Sequence, residues 1–421
     1  MLMLLSPNIS VSNNIDKKIE TLSIKIEKEV IKWRRHIHQN PELSNREFET
    51  AKYISKHLSS LGLEVTNNVA HTGVVAILRG SKEGKTIALR ADMDALPVIE
   101  RVDIPFASKV KTIYKNKEVG VMHACGHDTH VAILMGVASV LSELKNEIKG
   151  TVKFIFQPAE EGAPLGEKGG AVYMVEEGVM ENPKVDAIFG LHAWPGYVGK
   201  VYYRSGPTMA AAERMKITIK GVQTHGAVPW GGVDPIVVSS QIIMSLQTIM
   251  AREVDITAVP GVVTIGSIHG GVRNNIIPEE VVMEGTIRTF QEDIRQQIHK
   301  SIRDKVKMIA SASGAIGEVE IFSNIAKVTY NEPSLTEQML PSLKRVYGDE
   351  NVIVRPFVTG AEDFPFFTDH APGLYFFNGV SEDPSKASSN HSPYFFADER
   401  NLKFGMKSMA QLALDYLFLN Q

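Results

Sequence analysis

The chain has 421 residues, a length that suggests about two or three domains. Its 43% hydrophobic and 22% charged content excludes a disordered, collagen-like or coiled-coil chain. Forty-five basic against 48 acidic side chains leave a net charge of −3, so neither nucleic acid nor an anionic membrane is an expected partner.

A single cysteine forbids an intrachain disulfide, and the fold therefore does not depend on an oxidising compartment. The apolar start, MLMLLSPNIS, lacks the basic region and cleavage site of a secretory signal. It reads as the frayed terminus of a cytoplasmic protein, with a degenerate signal peptide as the alternative. The longest apolar run, Val131 to Leu141, is too short to span a bilayer.

The first helix shows a 3.6-residue stripe of Ile15, Ile19, Leu22, Ile26, Trp33 and Ile37 and should stop before Asn40-Pro41. A second spans about Glu47 to Leu61, where Gly62 supplies a left-handed stop. Apolar strand runs follow at Val74–Arg79, Thr86–Ala91, Thr151–Gln157 and Ala187–His192, with a helix over Asp128–Leu144 between the second and third. Strands alternating with helices predict an α/β layer with a mainly parallel sheet. Such sheets place chemistry at the carboxyl ends of strands, where Asp92-Met93-Asp94, Glu160-Glu161 and His192 are all expected.

Residues 208–323 read differently. Strand Glu213–Lys220, helix Asp234–Arg252, strands Val262–Ile268 and Glu280–Thr289, helix Asp293–Ser313 and strand Glu318–Ser323 form the β-α-β-β-α-β order of a ferredoxin-like unit. α/β material resumes in Pro333–Val354 and Leu374–Gly379. The expected organisation is a discontinuous domain, 1–207 and 324–421, interrupted by an inserted domain, 208–323.

The segment MHACGHDTH (122–130) gathers three histidines and the cysteine immediately before a helix. Thiolate and imidazole suit borderline-soft divalent metals, although an isolated Cys-x-His is ordinarily a small apolar cysteine beside solvated histidines. Glu160 and Glu161 follow the run Val152–Phe156. Strand alternation would send them apart, which suits one carboxylate on a metal and one holding a water proton. His192 ends another apolar run, and His391 lies in a Ser/Pro-rich loop. Cys125, His127, Glu161, His192 and His391 together exceed what one catalytic zinc with an open position needs; they suit two metals sharing a water.

RADMDALP (90–97), MHACGHDTH (122–130), FQPAEEG (156–162), FGLHAWP (189–195) and TGAEDF (359–364) resemble the M20 metallopeptidase family, and within it the subfamily D amidohydrolases that act on N-acyl amino acids, hippurate and auxin conjugates. The resemblance runs from HIHQNPELS (36–44) to the C-terminal helix. It implies metal ligands at Cys125, His127, Glu161, His192 and His391, a general base at Glu160 and an orienting acid at Asp94. QTHGAVPWGGVDP (223–235), NNIIP (274–278) and GTIRT (285–289) would place His225 at the reacting carbonyl and Asn275 and Arg288 at the substrate carboxylate. Gly360 would line the pocket.

The implied protein is a dinuclear metallohydrolase whose inserted domain serves dimerisation and closure. It would form a homodimer or higher homo-oligomer and hold two divalent ions per subunit, manganese or zinc, with cobalt or nickel as alternatives. Its small-molecule substrate would be an N-acyl-L-amino acid, cleaved at the amide; a carboxypeptidase or dipeptidase on the same site is the alternative. One departure stands out. Ala163-Pro164-Leu165-Gly166-Glu167-Lys168 intervenes between the glutamate pair and the glycines at 169–170, so the acyl side of the pocket need not follow the family's shape.

Overall fold

The structure is a computed structural model that describes residues 7–420; the first six residues of the apolar start lie outside them. Contacts divide the chain into two compact units. The larger comprises the chain up to Gly206, Tyr330–Arg355 and everything from Phe366 on; the smaller comprises Pro207–Thr329 and Pro356–Pro365. The segment 356–365, which the sequence leaves with the larger part, joins the smaller one through specific pairing. Ala210 N–H donates to Val358 O at 3.0 Å, Val358 N–H donates to Thr208 O at 3.0 Å, and the Phe357 and Phe290 rings lie 4.7 Å apart.

The larger unit opens with α1 (Pro7–Gln39), α2 (Phe48–Ser60), β1 (Glu64–Val69), β2 (Gly73–Arg79) and β3 (Lys82–Asp92). It continues with α3 (His127–Glu143), β4 (Lys149–Gln157), β5 (Ala187–Tyr197) and β6 (Val201–Tyr203). The smaller unit follows with β7 (Ala211–Lys220), β8 (Thr224–His225), α4 (Pro235–Thr248), β9 (Val262–Gly270) and β10 (Ile276–Ile277). It closes with β11 (Glu280–Thr289), α5 (Glu292–Ala312) and β12 (Ile316–Ala326). The chain returns through α6 (Pro333–Tyr347), β13 (Val352–Val354), β14 (Gly373–Ser381) and α7 (Arg400–Leu419).

The large sheet has the order β1-β2-β4-β3-β5-β14-β6-β13. β3 runs parallel to β4 and β5, β5 to β14, and β6 to β13; the remaining pairs are antiparallel. β4 and β14 are buried almost end to end, because helices leave neither face of a parallel sheet in water. α3 is apolar nearly all round and buried on nearly every side, since it lies against β3, α1 and α7 together. The β3-α3-β4 crossover brings the carboxyl ends of its strands level, with Asp92 opposite Gln157.

His192 is placed differently from the sequence expectation. It lies inside β5, which continues to Tyr197. The pairing with β3 stops at Gly190, and β14 alone carries β5 onward, with Phe377 opposite His192. His192 thus sits where the sheet frays next to the carboxyl end of β3.

The smaller unit is an antiparallel sheet, β9-β11-β7-β12, with its own core of Met215, Ile217, Ile242, Leu246, Ile287, Ile298 and Ile302. With α4 and α5 this is the ferredoxin-like arrangement. α4 begins at Asp234, whose carboxylate accepts the Ile236 N–H at 2.9 Å, with Pro235 in the first turn. It ends at Thr248, short of the expected Arg252, where the backbone widens into a π turn over Ile249–Glu253.

Candidate metal centre

Three stretches converge at the carboxyl ends of β3, β4 and β5. The loop before α3 ends at Gly126, whose φ of +93° is left-handed and whose added Cβ would stand 2.7 Å from the Ala193 Cβ. Only glycine fits there. It lets Cys125 and His127, on either side, approach β5. Beyond β4, Ala159 has a φ of +52° and Gly162 one of +106°. The glutamates therefore lie in a tight turn past the strand, and it is this turn, not strand alternation, that separates them. Glu161 Oε1 lies 3.0 Å from His391 Nε2, whereas Glu160 Oε2 lies 3.8 Å from His127 Nε2.

All five expected ligands meet here. Ligand atoms of Cys125, His127 and His192 lie within 4.8 Å of one another, and so do those of Cys125, Glu161 and His391. Cys125 belongs to both groups. His127, Glu160 and Glu161 form a further such group, which sets Glu160 beside the ligands.

The imidazoles are oriented for ligation. His127 Nδ1–H donates to the Asp94 carbonyl at 2.9 Å and approaches Asp94 Oδ1 at 3.2 Å; its Nε2 is buried without a hydrogen-bond partner. His192 Nδ1–H donates to the Ala193 carbonyl at 2.7 Å, which leaves Nε2 facing Cys125 Sγ at 3.4 Å. A carbonyl can only accept, so in both rings Nδ1 carries a proton and Nε2 is the nitrogen turned toward the cluster. Glu161 Oε1 is buried and faces His391 Nε2 at 3.0 Å. Soft sulfur, inward-turned imidazole nitrogens and carboxylates in this arrangement fit two divalent cations.

Asp94 orders the pocket. Its Oδ2 accepts the Ser44 hydroxyl at 2.7 Å and the Glu161 N–H at 3.0 Å. Burial opposes its charge, but the hydrogen bond from His127 and these two contacts outweigh that and hold its carboxyl below the usual range. Burial also opposes charge on His127, yet Asp92 and Asp94 raise it to about 10. The Cys125 thiol is pushed well up by burial and by Glu161, Glu160 and Asp92. The pocket concentrates negative charge that a cation relieves.

Asp92 and His130 are absent from the sequence-derived site. Both lie within 4.8 Å of His127 in another group of metal-type donors. His130 is spoken for, since Nδ1–H donates to Asp92 Oδ1 and Nε2 accepts the Ala193 N–H at 2.7 Å. Arg90 holds the other Asp92 oxygen at 2.6 Å. The signal was present: Asp92 is two residues from Asp94 on a strand and its exit, and His130 is one helical turn from His127.

The remaining predicted residues belong to the smaller unit. His225 on β8 pairs with Ile276 on β10, and Gly226 N–H donates to Asn275 O at 2.8 Å, so His225 and Asn275 are neighbours. His225 Nδ1 accepts the Ala227 N–H at 3.0 Å, which places its proton on Nε2. Arg288 on β11 donates to Thr286 Oγ1 and the Ile287 carbonyl and pairs with no acid among the described residues. The Gly360 carbonyl accepts the Ala210 N–H at 3.0 Å. A Cβ at Gly360 would make only ordinary contacts at 3.6 Å.

A mixed thiolate, imidazole and carboxylate cluster with a further carboxylate beside it, at the carboxyl ends of a parallel sheet, defines a metal-dependent hydrolase with a site for two ions. Residues 88–415 match the model described as Peptidase family M20/M25/M40, and the chain belongs to that family. It is 43% identical over 394 residues, 93% of this chain and 96% of the other, to the thermostable carboxypeptidase 2 of Saccharolobus solfataricus. It is 39% identical to the N-acetyl-L-cysteine deacetylase of Bacillus subtilis, covering 89% of this chain and 85% of that one. The crystal structure of a dinuclear metal-binding peptidase of the M20 family from Bacillus subtilis superposes with a TM-score of 0.78 at 35% identity, covering 94% of this chain and 99% of that chain.

Proposed function

We propose that the protein hydrolyses the amide bond of N-acyl-L-amino acids, releasing a free amino acid and a carboxylic acid. The observation that carries this is the division of the glutamate pair: Glu161 turns to His391 while Glu160 stands beside His127. One carboxylate is thereby available for proton transfer next to the metal ligands. The similarity to a deacetylase of an N-acetylated amino acid supports the substrate class. The carboxypeptidase relative supports a second reading, short peptides cleaved at the same site.

In this reading Cys125, His127, Glu161, His192 and His391 hold two divalent ions, manganese or zinc before cobalt or nickel. When bound, the ions supply Lewis acidity toward a water and the amide carbonyl. Glu160 takes the proton of the attacking water and returns it to the leaving amine. Asp94 keeps His127 in the tautomer that presents Nε2. His225 carries its proton on Nε2 and would donate it in a hydrogen bond to the oxyanion. Asn275 and Arg288 would receive the substrate carboxylate, a task for which an unpaired guanidinium fork is suited. Gly360 would line the pocket.

The inserted domain is proposed to dimerise the protein and close over substrate. Trp230, Met244 and Val272, respectively 83%, 71% and 98% exposed, are apolar side chains that such a dimer would cover. No helix among the described residues is long and apolar enough to cross a membrane, and the lone thiol fits a cytoplasmic setting. N-acetyl, N-benzoyl and indoleacetyl amino acids and dipeptides should be assayed with each metal restored to the stripped protein. Turnover of dipeptides alone would replace the first reading by the second.

A further inference from the structure

Asn390 precedes His391, and no signal in the sequence marks it. Its side-chain Nδ2 lies 3.0 Å from the Cys125 carbonyl, 3.2 Å from the Ala193 carbonyl and 3.8 Å from Cys125 Sγ. Both carbonyls can only accept, so the nitrogen end of the amide must face them. Two N–H bonds thus serve three acceptors, two on Cys125 and one on the residue after His192. From the other side, His391 N–H donates to the Ala124 carbonyl at 2.8 Å. His391 itself is held at a left-handed φ of +68°, a conformation that persists in a non-glycine residue only where the surroundings dictate it.

We propose that Asn390 is a positioning residue of the metal centre. Its amide fastens the segments carrying Cys125, His192 and His391 to one another, and its N–H toward sulfur tempers how strongly Cys125 donates to a metal. The inference rests on the reading of Cys125 as a ligand. An N–H pointing at a thiolate withdraws electron density from sulfur, and outer partners of this kind commonly change metal affinity by about 10–100-fold. Ala193 O receives both His192 Nδ1–H at 2.7 Å and the Asn390 amide. The same carbonyl therefore links the orientation of His192 to the loop of His391.

The test uses cobalt(II) restored to the stripped full-length protein, because a cobalt–thiolate bond gives a near-ultraviolet charge-transfer band that reports sulfur directly. Asn390→Ala should shift that band to lower energy, as sulfur becomes the stronger donor, and weaken cobalt binding by about 10–100-fold, because losing the fastening of the Cys125, His192 and His391 segments outweighs the gain at sulfur. Asn390→Asp, close in shape, carries the same test if the alanine variant fails to fold. It sets carboxylate oxygens against two carbonyls and should weaken binding further. A band that stays in place in the folded variants overturns the proposal, whatever the affinity does. A wild-type cobalt protein with no such band, or a band that survives Cys125→Ser, overturns instead the assignment of Cys125 as a ligand.

Discussion

Glu160 and Glu161 differ by one position and by what faces them, and their substitutions should separate accordingly. Glu160→Gln is expected to retain both metals while kcat falls at least ~10²-fold, the usual scale for a general base. Glu161→Gln should lose metal. Equal metal content in the two purified variants would remove the division of roles. Glu47 offers a second experiment on a single carboxyl. It is buried, accepts the Ala159 N–H at 2.9 Å and the Thr72 hydroxyl at 2.6 Å, and is raised to about 8 by burial and by the charge of Asp94. The folded protein therefore holds this proton more tightly than the unfolded chain does. Between its ordinary 4.5 and about 8, this group makes stability fall as pH rises, by at most ~1.4 kcal/mol per pH unit. Glu47→Gln keeps a carbonyl for Ala159 and an amide for Thr72, so thermal unfolding of the metal-free variant should lose that slope. A slope identical to wild type would mean that Glu47 is ionised in the fold throughout.

At the level of elements, α1 and α3 are joined by a buried ionic web. Arg34 Nε lies 2.7 Å from Asp128 Oδ2, and His38 bridges Asp128 at 2.9 Å and Glu100 at 3.0 Å. Arg34 also covers the Phe106 ring at 4.8 Å. Asp128 adjoins His127, so α1 fixes the start of α3 and, with it, the loop that carries Cys125. Arg34→Met leaves a buried carboxylate short of its cation and should cost about 3 kcal/mol in urea unfolding; a loss under ~1 kcal/mol would show that His38 suffices. Much of this layer was legible beforehand. The stripe on α1, the Pro41 stop, and the apolar runs of β2 through β5 and β14 follow from periodicity and burial. β1 was not legible, because Glu64–Val69 is largely exposed and owes its conformation to pairing with β2. The residues that meet as metal-type donors, Cys125, His127, Glu161 and His192, sit in compact motifs, which made them readable as a group. Arg34 and Asn390 act on partners 94 and 265 residues away, and no local pattern encodes such a contact.

For the whole molecule, the proposed dimer makes a quantitative prediction. If His225 serves the partner's site, the His225→Ala and Glu160→Gln homodimers are each inactive, while a mixed dimer holds one intact site. Random exchange at equal amounts makes about half the dimers mixed, so activity should return to about a quarter of wild type. A mixture that exchanges subunits and stays silent would confine His225 to its own chain. The placement of β14 between β5 and β6 has a consequence during synthesis. Ribosomes complete β5 and the ferredoxin-like sheet long before Gly373, so a growing chain carries β5 with one hydrogen-bonding edge open and no Leu374, Tyr375, Phe376 or Phe377 to cover it. Chains stalled before residue 373 should keep a protease-resistant smaller unit beside a digestible larger one; equal resistance of both would argue against late closure. His391 emerges later still. The last proposed metal ligand is thus translated after the rest of its site, so the nascent protein can complete its metal centre only once its final central strand has been made.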